Sequence, residues 1–326
     1  MNKILVTGGV GFIGYHLIKK LINKYQITIV DNLKRGKMDN DFKTLLSNKN
    51  VTFINGDLTE KKIYDTLSND FTYVYHLAAV IGVKNVMYNS HKVLYVNAIS
   101  NLLLFNFLLK QKKLKKIFFS STSEIYAGTL KHYGIQVPTN EEVNLTLDNI
   151  KEPRTTYMLS KMYGESICFS YYNKYKIPFT IGRYHNVYGP RMGYLHVIPE
   201  MFVKIKNSKK IDCFSPNHTR AMCYVDDAIQ MTIESCESKN TNTEILNIGN
   251  QDEEIKIKDL VLLISKTMNK NIDLILKEDT PGSPKRRCPD VTKIKKLLNL
   301  KAKIKLEEGL ALTYSWYKNK LENVYE

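Results

Sequence analysis

Tyr157 and Lys161 are the two residues of this 326-residue chain whose types and spacing best suit acid–base chemistry. The segment from 158 to 170 has a helical pattern, so both side chains would lie on one face of a helix, about one turn apart. An ammonium beside a phenol favours the phenolate, and we therefore expect the pKa of Tyr157 to fall from about 10 towards the pH at which it accepts a proton. The chain holds many tyrosines and lysines, so the pair gains weight only from its surroundings.

A glycine-rich turn near the N-terminus has the spacing of a dinucleotide-binding loop. An apolar strand at 4–6 precedes the turn and a helical pattern at 15–21 follows it, which is the context that such a motif requires. Glycine lets the backbone turn tightly and approach a pyrophosphate, while the helix N-terminus offers free N–H donors and a partial positive charge. The predicted contacts of this loop are Gly8, Gly11, Phe12, Ile13 and Gly14.

The ends of the next strands carry polar or small residues that suit the rest of a dinucleotide. Asp31 stands seventeen residues after Gly14, where a carboxylate accepts hydrogen bonds from both ribose hydroxyls and repels a 2′-phosphate, which favours NAD over NADP. Lys34 and Arg35 follow closely and keep NADP open as an alternative. The further predicted cofactor contacts at strand ends are Asn32, Asp57, Leu58, Leu77, Ala78 and Ala79.

Strands alternate with helical patterns from the start of the chain. This alternation predicts an α/β fold with a parallel, doubly wound sheet of Rossmann type. Ligands of such sheets bind at the carboxyl ends of the strands, and the strand-end motifs named above fall there. A strongly apolar helical pattern at 94–109 contains one polar residue of interest, Asn97.

The composition excludes several classes of protein. Hydrophobic content of 43% and charged content of 25% are ordinary for a soluble globular protein. The formal charge of +16 is spread along the chain, and its densest run, 110–116, stands where a helix should end, so we expect solvated lysines rather than a nucleic-acid surface. No apolar run is long enough to cross a membrane. Five cysteines lack metal-binding spacing, which predicts a reduced cytoplasmic protein without a metal site.

The segment SSTSEIY at 120–126 follows a strand at 117–119 and brings hydroxyls and a carboxylate to the same sheet edge as Tyr157. With this segment, the chain resembles an extended short-chain dehydrogenase/reductase of the nucleotide-sugar epimerase, dehydratase and decarboxylase group. The likeness covers nearly the whole chain. Its motifs are, in order, TGGVGFIG (7–14), DN (31–32), GDL (56–58), HLAA (76–79), SSTSEIY (120–126), YMLSK (157–161), RYHNVYGPRM (183–192), RAMCYVDDA (220–228) and PKRRCPDVTKIKKLL (284–298).

This resemblance implies a role for each part of the site. Tyr157 would deprotonate the 4-hydroxyl of a nucleotide-linked sugar as a hydride leaves C4 for NAD, and Thr122 would hydrogen-bond the same hydroxyl. Lys161 would hold the nicotinamide ribose and lower the pKa of the tyrosine. Asn97 would help to order the proton-relay region next to the cofactor. Because the hydride returns in many members of the family, NAD would be regenerated at each turnover.

The residues after Thr122 separate the subfamilies. Dehydratases of the family carry an Asp-Glu pair, whereas this chain has Ser123 and Glu124, an arrangement that resembles UDP-glucuronate decarboxylases. The Pro-Arg before Tyr157 and the Arg-x-Pro that contains Arg287 resemble the same enzymes, and Arg287 or a bound water would protonate C5 after CO2 has left. Two departures, Met-Leu-Ser inside the Tyr-x-x-x-Lys motif and His185 in place of the usual Phe, also fit sugar epimerases. We rank uronate decarboxylation first, 4-epimerisation second and 4,6-dehydration third. The alternative that is not an enzyme is a catalytically inactive nucleotide sensor.

The carboxyl-terminal part would bind the sugar nucleotide, which we expect to be UDP-linked. Arginine matches phosphate oxygens bidentately and is scarce in this lysine-rich chain, so each arginine is a candidate phosphate contact. His196 would either contact substrate or cap the helix at 197–206. By resemblance we expect an NAD-binding domain at 1–180, joined by segments near 181–190 and 222–250, and a smaller interleaved α/β domain at 181–326. Apolar helices near 94–109 and 157–172 would form a homodimer interface. The predicted contacts with the substrate diphosphate are Asn186, Arg191 and Arg220, and Arg287 is a further predicted substrate contact.

Overall fold

The structure is a computed structural model that describes residues 1–280 and 282–321. The strands are β1 Lys3–Thr7, β2 Gln26–Asp31, β3 Val51–Asn55, β4 Phe71–His76, β5 Lys116–Thr122, β6 Phe179–Tyr184, β7 Val187–Tyr188, β8 Lys210–Cys213, β9 Thr219–Ala221, β10 Cys223–Tyr224, β11 Glu244–Ile248, β12 Glu254–Lys256, β13 Asp273–Leu276 and β14 Arg286–Arg287. The helices are α1 Phe12–Leu21, α2 Asn40–Leu46, α3 Lys61–Asp65, α4 Val83–Tyr88, α5 Ser90–Leu108, α6 Ala127–Tyr133, α7 Pro153–Tyr175, α8 Val197–Asn207, α9 Val225–Glu237, α10 Ile257–Thr267, α11 Thr292–Leu298 and α12 Leu306–Tyr317.

The main sheet has the strand order β11-β6-β5-β4-β1-β2-β3, and its neighbouring strands are parallel. The chain winds outwards from β1 through β2 to β3 and then crosses to β4 on the other side of β1. The order therefore reverses between β1 and β4, and the crevice beyond their carboxyl ends is where doubly wound sheets bind ligands. The predicted α/β, Rossmann-type sheet is confirmed.

Helices cover both faces of this sheet. The α5 and α7 helices pack on each other and over one face, whereas α1 and α9 pack together and cover the other. On the first face, Leu104, Phe105 and Phe119 are almost completely buried. A Cβ on Gly164 would stand only 2.3 Å from the ring of Phe119, so this glycine allows α7 to lie close to β5. That close approach sets the amino-terminal turns of α7 beside the end of β5.

Residues beyond 180 contribute both to the main sheet and to smaller sheets. The β11 strand pairs with β6 inside the main sheet, while β12, β9 and β14 form a separate sheet and β13 pairs with β8. The helices α8, α10 and α12 pack together around this smaller part. The chain thus crosses between the two parts more than once, and the division into two domains near residue 180 stays a prediction.

One lysine of the run at 110–116 is buried, which contradicts the expectation that the whole run is solvated. The α5 helix ends at Leu108, and Lys116 is already the first residue of β5. Its Nζ donates to the Ser235 carbonyl at 3.4 Å and to the Thr241 hydroxyl at 2.9 Å. These oxygens near the end of α9 replace water around the ammonium, although burial lowers its pKa to about 8.

Within residues 1–280 and 282–321, no helix combines the length and the apolar character that a membrane-crossing helix needs.

Candidate active site

The α7 helix places the predicted base and its lysine at the end of β5. It begins at Pro153, a residue that suits the first helical position because its missing N–H would have no partner there. Tyr157 and Lys161 lie in the following turns and line the same cavity, which has a volume of about 480 Å³. The Lys161 ammonium donates to the Ser120 carbonyl at 2.7 Å and lies over the Phe119 ring. The base, the lysine and the strand end therefore meet at one place.

This main cavity brings together residues that are far apart in the sequence. It extends from the glycine loop, past the end of β5, to the loops before α8 and α10. The predicted site residues that line it are Gly8, Gly11, Phe12, Ile13, Gly14, Leu77, Ala79, Thr122, Tyr157, Lys161, Asn186 and Arg220.

A second cavity of about 360 Å³ adjoins the first and shares part of the glycine loop with it. It lies beyond the ends of β2 and β3. An adenosine half bound here and a nicotinamide half bound in the main cavity would meet over the N-terminus of α1, where the pyrophosphate finds free N–H donors. The predicted cofactor contacts that line it are Gly8, Gly11, Asp31, Asn32, Asp57, Leu58, Leu77, Ala78 and Ala79.

Gly8 lines both cavities, and its backbone lies close to the backbone of Ala78. The residue has a φ of +71°, and a Cβ there would stand 2.7 Å from the backbone nitrogen of Ala78. Both facts exclude larger residues, because the conflicting atom belongs to the backbone and cannot move aside. The strand ends of β1 and β4 can therefore approach closely beneath a bound pyrophosphate.

The carboxylates near the adenosine side are held in place by neighbouring groups. Asp31 accepts hydrogen bonds from the backbone nitrogens of Val10 (3.1 Å) and Leu33 (2.9 Å), and it lines the second cavity. Lys34 donates to Asp57 at 2.8 Å. The charge of Lys34 is therefore engaged by Asp57, whereas Asp31 lines the cavity where it would face the ribose of a bound NAD.

The pKa of Tyr157 does not fall in the way that the sequence predicted. Burial raises it, and the Glu124 carboxylate raises it further, whereas a hydrogen bond with Thr122 and the charge of Arg35 lower it. Lys161 is not among the groups that shift it, and burial lowers the pKa of this lysine itself to about 8. The expectation that Lys161 lowers the pKa of Tyr157 is therefore wrong.

Glu124 and Arg287 form an ion pair near Tyr157, with 2.7 Å between Oε1 and Nη1. The Arg287 guanidinium holds the pKa of Glu124 below its usual range in spite of burial, and Arg154 and Arg220 act in the same direction. The carboxyl group therefore stays ionised among three arginines. Their positive charge exceeds the single negative charge of Glu124, which suits a further anionic group from a substrate.

Other predicted residues lie next to the main cavity rather than on its wall. Asn97 accepts from Val80 N at 2.8 Å and donates to the Ser160 hydroxyl at 3.0 Å, so it ties the loop after β4 to α7. Ser123 and Arg287 line a separate cavity of about 20 Å³. Asn97 therefore positions elements next to the main cavity, and Ser123 and Arg287 lie behind its wall.

The predicted diphosphate contacts separate into two groups. Asn186 and Arg220 line the main cavity, and Arg220 also donates to the Ser283 hydroxyl at 2.8 Å. Arg191 lies outside both large cavities. It pairs with Asp39, and its guanidinium stacks 4.2 Å from the centre of the Tyr15 ring. The structure therefore brings Asn186 and Arg220 to the site and places Arg191 in a packing contact.

Arg35 is a site residue to which the sequence analysis assigns no role, and His196 is one for which it leaves substrate contact and helix capping open. Arg35 borders both large cavities, and its Nη2 lies 3.2 Å from Nε2 of His196, which lines the main one. His196 precedes α8 but makes no side-chain cap, which removes the capping alternative. The signal in the sequence is the position of Arg35 four residues after Asp31, at the end of β2, which bears on nucleotide binding as well as on the choice between NAD and NADP.

Comparison with known proteins agrees with this geometry. The NAD dependent epimerase/dehydratase family matches residues 4–249. The chain is 32% identical to the UDP-N-acetyl-alpha-D-glucosaminuronate decarboxylase of Bacillus cytotoxicus, with 99% of each chain covered. It is 31% identical to UDP-glucuronic acid decarboxylase 5 of Arabidopsis thaliana, with 95% of this chain and 87% of the relative covered.

A solved structure is similar over the same extent. It is a variant of the UDP-glucuronic acid 4-epimerase of Bacillus cereus in complex with UDP-4-deoxy-4-fluoro-glucuronic acid and NAD, with a TM-score of 0.86, 28% identity and coverage of 98% of this chain and 99% of that one. The parallel sheet agrees with this family match. The chain therefore belongs to the NAD-dependent epimerase/dehydratase family and is an NAD-dependent enzyme that modifies nucleotide-linked sugars.

Proposed function

We propose that this enzyme removes CO2 from a UDP-linked uronate after oxidation of the sugar at C4. The observation that carries the proposal is the Glu124–Arg287 pair, 2.7 Å apart, beside the cavity that holds Tyr157. Arg154 and Arg220 add positive charge around the same carboxylate. A uronate brings a second carboxylate to this excess of arginine, whereas a neutral hexose does not.

The chemistry is divided between the cofactor and the chain. When bound, NAD supplies the acceptor and later the donor of the hydride. Tyr157 takes the proton of the 4-hydroxyl, Thr122 hydrogen-bonds to that hydroxyl, and Lys161 holds the nicotinamide ribose. The ketone formed at C4 is β to the carboxylate, so CO2 leaves as the electrons of the C5–C6 bond move into the carbonyl. General acid–base groups of this kind contribute about 10²–10⁴ in rate.

The substrate nucleotide would lie along the wall formed by Asn186 and Arg220. Both line the main cavity, and the guanidinium of Arg220 can pair with a diphosphate through two parallel hydrogen bonds. Arg191 has no part in this proposal because it pairs with Asp39. The two similar decarboxylases act, by their names, on UDP-linked uronates, which supports the choice of both the nucleotide and the sugar class.

A 4-epimerase is the second candidate, and a specific observation supports it. The similar structure from Bacillus cereus is a UDP-glucuronic acid 4-epimerase, so a uronate in this fold can keep its carboxylate. The difference between the two reactions lies in what happens to the 4-ketone after oxidation. In an epimerase the ketone is reduced from its other face before CO2 leaves.

Mass spectrometry of the products distinguishes the reactions. The purified enzyme with NAD is incubated separately with UDP-glucuronate, UDP-N-acetyl-glucosaminuronate and UDP-glucose. We expect one or both uronates to yield a UDP-pentose that is lighter by one CO2, and UDP-glucose to remain unchanged. A product of unchanged mass whose proton NMR spectrum shows an inverted C4 would identify an epimerase, and loss of water from UDP-glucose would identify a dehydratase. Either result overturns the decarboxylase proposal.

We also propose a homodimer of this enzyme in the cytoplasm. Large apolar side chains remain exposed on the helices that pack together, including Tyr95 on α5 (61% exposed) and Tyr163 on α7 (40%), and a second copy would cover them. The five cysteines are free and buried, as expected in a reducing compartment. Light scattering of the wild type and of Tyr95→Asp tests the dimer: we expect the variant to be monomeric, and a monomeric wild type would refute it.

A further inference from the structure

Asn247 is a completely buried amide near the end of β11, and its hydrogen bonds fix its orientation. Its Nδ2 donates to the carbonyls of Thr139 (2.9 Å) and Asp290 (3.0 Å), so Oδ1 points the other way. There Oδ1 accepts from the Tyr126 hydroxyl at 2.9 Å and lies 3.0 Å from Nε2 of His185. Since Oδ1 can only accept, Nε2 of His185 carries the proton. The amide cannot turn over without losing these hydrogen bonds.

The Nδ2 side of this amide holds the segment that follows Arg287. The backbone nitrogen of Thr139 donates to the Cys288 carbonyl, and that of Asp290 donates to the Thr139 carbonyl, both at 2.9 Å. Asn247 bonds to the carbonyls of Thr139 and Asp290, so it closes the contact between these two segments. The backbone directly after Arg287 is thereby fixed to the end of β11.

The Oδ1 side of the amide holds the turn that carries Glu124. Residues 123–126 form a 3-10 turn directly after β5, and Tyr126 is the last of them. The ring of Tyr126 is buried, and its hydroxyl donates to Asn247. One side chain therefore joins the turn of Glu124 to the segment of Arg287, although these two residues lie 163 positions apart in the sequence.

Arg287 needs such support because a neighbouring charge opposes its position. It lies opposite Arg220 where β14 pairs with β9, and burial together with the charge of Arg287 lowers the pKa of Arg220 to about 10. The attraction that balances this repulsion is the ion pair with Glu124 at 2.7 Å. A charged hydrogen bond of this length is lost within about 1 Å of displacement, so the pair depends on the spacing of the two backbones.

We propose that Asn247 is a positioning residue of this enzyme, which keeps Arg287 within hydrogen-bond distance of Glu124 and so holds the charges that receive the substrate carboxylate. The effect on turnover rests on the proposed decarboxylation, whereas the effect on the ion pair does not. His185 donates a second hydrogen bond to Oδ1. The histidine that departs from the expected phenylalanine thus helps to hold the amide in place.

A double-mutant cycle separates positioning from a general loss of stability. Asn247→Ala and Glu124→Gln are made singly and together, and kcat/KM for CO2 release from UDP-glucuronate and UDP-N-acetyl-glucosaminuronate is measured for all four proteins. Residues of one hydrogen-bonded network couple by amounts that correspond to roughly 2- to 150-fold. We expect Asn247→Ala to lower kcat/KM at least about tenfold alone but less than about threefold beside Glu124→Gln, because the ion pair is already lost there.

Asn101→Ala is the matched control for this cycle. Asn101 is also buried, and its Oδ1 lies 2.8 Å from Nε2 of a buried histidine, His76. Among the residues that the structure describes, Asn101 has no hydrogen bond with Glu124 or Arg287. Its effect on kcat/KM should therefore be the same, within about twofold, with and without Glu124→Gln.

Equal losses for Asn247→Ala in both backgrounds would overturn the inference, since the amide would then only stabilise the fold. If Asn247→Ala does not fold, Tyr126→Phe takes its place in the cycle, because it removes one hydrogen bond of the amide and keeps the buried ring. If the wild type releases no CO2 from either uronate, the proposed function has failed, and the positions of Glu124 and Arg287 decide the present inference.

Those positions are measured without any substrate. Crystal structures of the NAD-bound wild type and of Asn247→Ala, or of Tyr126→Phe, give the distance between Glu124 Oε1 and Arg287 Nη1. We expect 2.7 Å in the wild type and more than about 4 Å, the usual limit of an ion pair, in the variant. An intact pair in the variant would refute the inference whatever the reaction proves to be.

Discussion

Arg35 Nη2 lies 3.2 Å from His196 Nε2, and this contact joins the loop after β2 to the start of α8. Burial lowers the pKa of His196 to about 4, so the imidazole is neutral and accepts from the guanidinium. Arg35 has no carboxylate partner among the residues that the structure describes. It borders both large cavities, so its charge is available to the diphosphate of a nucleotide bound between them.

Replacing Arg35 with Met should therefore weaken nucleotide binding. A hydrogen bond to a charged group is worth about 1.5–3 kcal/mol, and we expect the Kd of NAD or of UDP to rise by about tenfold or more. Calorimetric titration with each nucleotide separately shows which diphosphate the arginine contacts.

Lys34→Met is the matched control for this change. It removes one positive charge from the neighbouring position, but Lys34 is largely exposed and paired with Asp57, and such surface pairs contribute little. We expect less than a threefold change in either Kd. Equal effects of the two variants would mean that only the general charge of the loop matters.

Tyr157→Phe should keep NAD bound and lose about 10²–10⁴ in turnover, because the phenol is the group that exchanges a proton with the 4-hydroxyl. Burial raises the pKa of the phenol, so the free enzyme should show no phenolate near neutral pH. We expect the phenolate that takes the 4-hydroxyl proton to form only with NAD bound, because the positive charge of the nicotinamide would lower the pKa of Tyr157. Ultraviolet difference spectra of the enzyme with and without NAD measure this directly. A near-normal rate for the variant would remove Tyr157 from the mechanism.

Most of the site was predictable because its parts stand at strand ends. Gly8, Asp31 and Thr122 follow or end apolar strands, and parallel strands bring their carboxyl ends to one edge. The environments of Arg191 and Lys116 differ from those that the sequence predicted, because the position of a long side chain depends on partners far away in the sequence. Arg191 pairs with Asp39, 152 residues away.

The environment of a buried group was equally invisible in the sequence. The tautomer of His185 depends on Asn247, 62 residues away, and the pKa of Tyr157 depends on how much protein surrounds the ring. A spacing of four residues between Tyr157 and Lys161 predicted their common location. It did not predict which of their neighbours would dominate the electrostatics.

Asp31→Arg should shift the cofactor preference towards NADP. The carboxylate is held by the backbone nitrogens of Val10 and Leu33 at the place where a ribose would bind, and it repels a 2′-phosphate. The ratio of kcat/KM for NAD and NADP, measured after removal of bound cofactor, should fall in the variant. Asp31→Asn is the control, since it loses the charge without adding a cation and should change the ratio less. An unchanged ratio for the arginine variant would mean that the ribose binds elsewhere.

The stability of the protein should fall in mild acid because of its buried histidines. Burial lowers the pKa of His76 to about 4 and that of His185 to about 3, whereas an unfolded histidine titrates near 6.5. Below pH 6.5 the unfolded chain gains protons that the folded chain refuses, so stability is complete above this pH and is lost as the pH falls towards 4.

At pH 5 the loss should be on the order of 2 kcal/mol for each of these two histidines, since each pH unit below 6.5 contributes about 1.4 kcal/mol. Urea unfolding at pH 7.5 and pH 5 measures it. The His185→Gln variant removes one of the two groups, and the difference between its free energies of unfolding at the two pH values should be smaller than in the wild type by about this amount. If the variant and the wild type lose the same stability between pH 7.5 and pH 5, His185 is either accessible to protons in the folded protein or already protonated there, and the lowered pKa assigned to it is wrong.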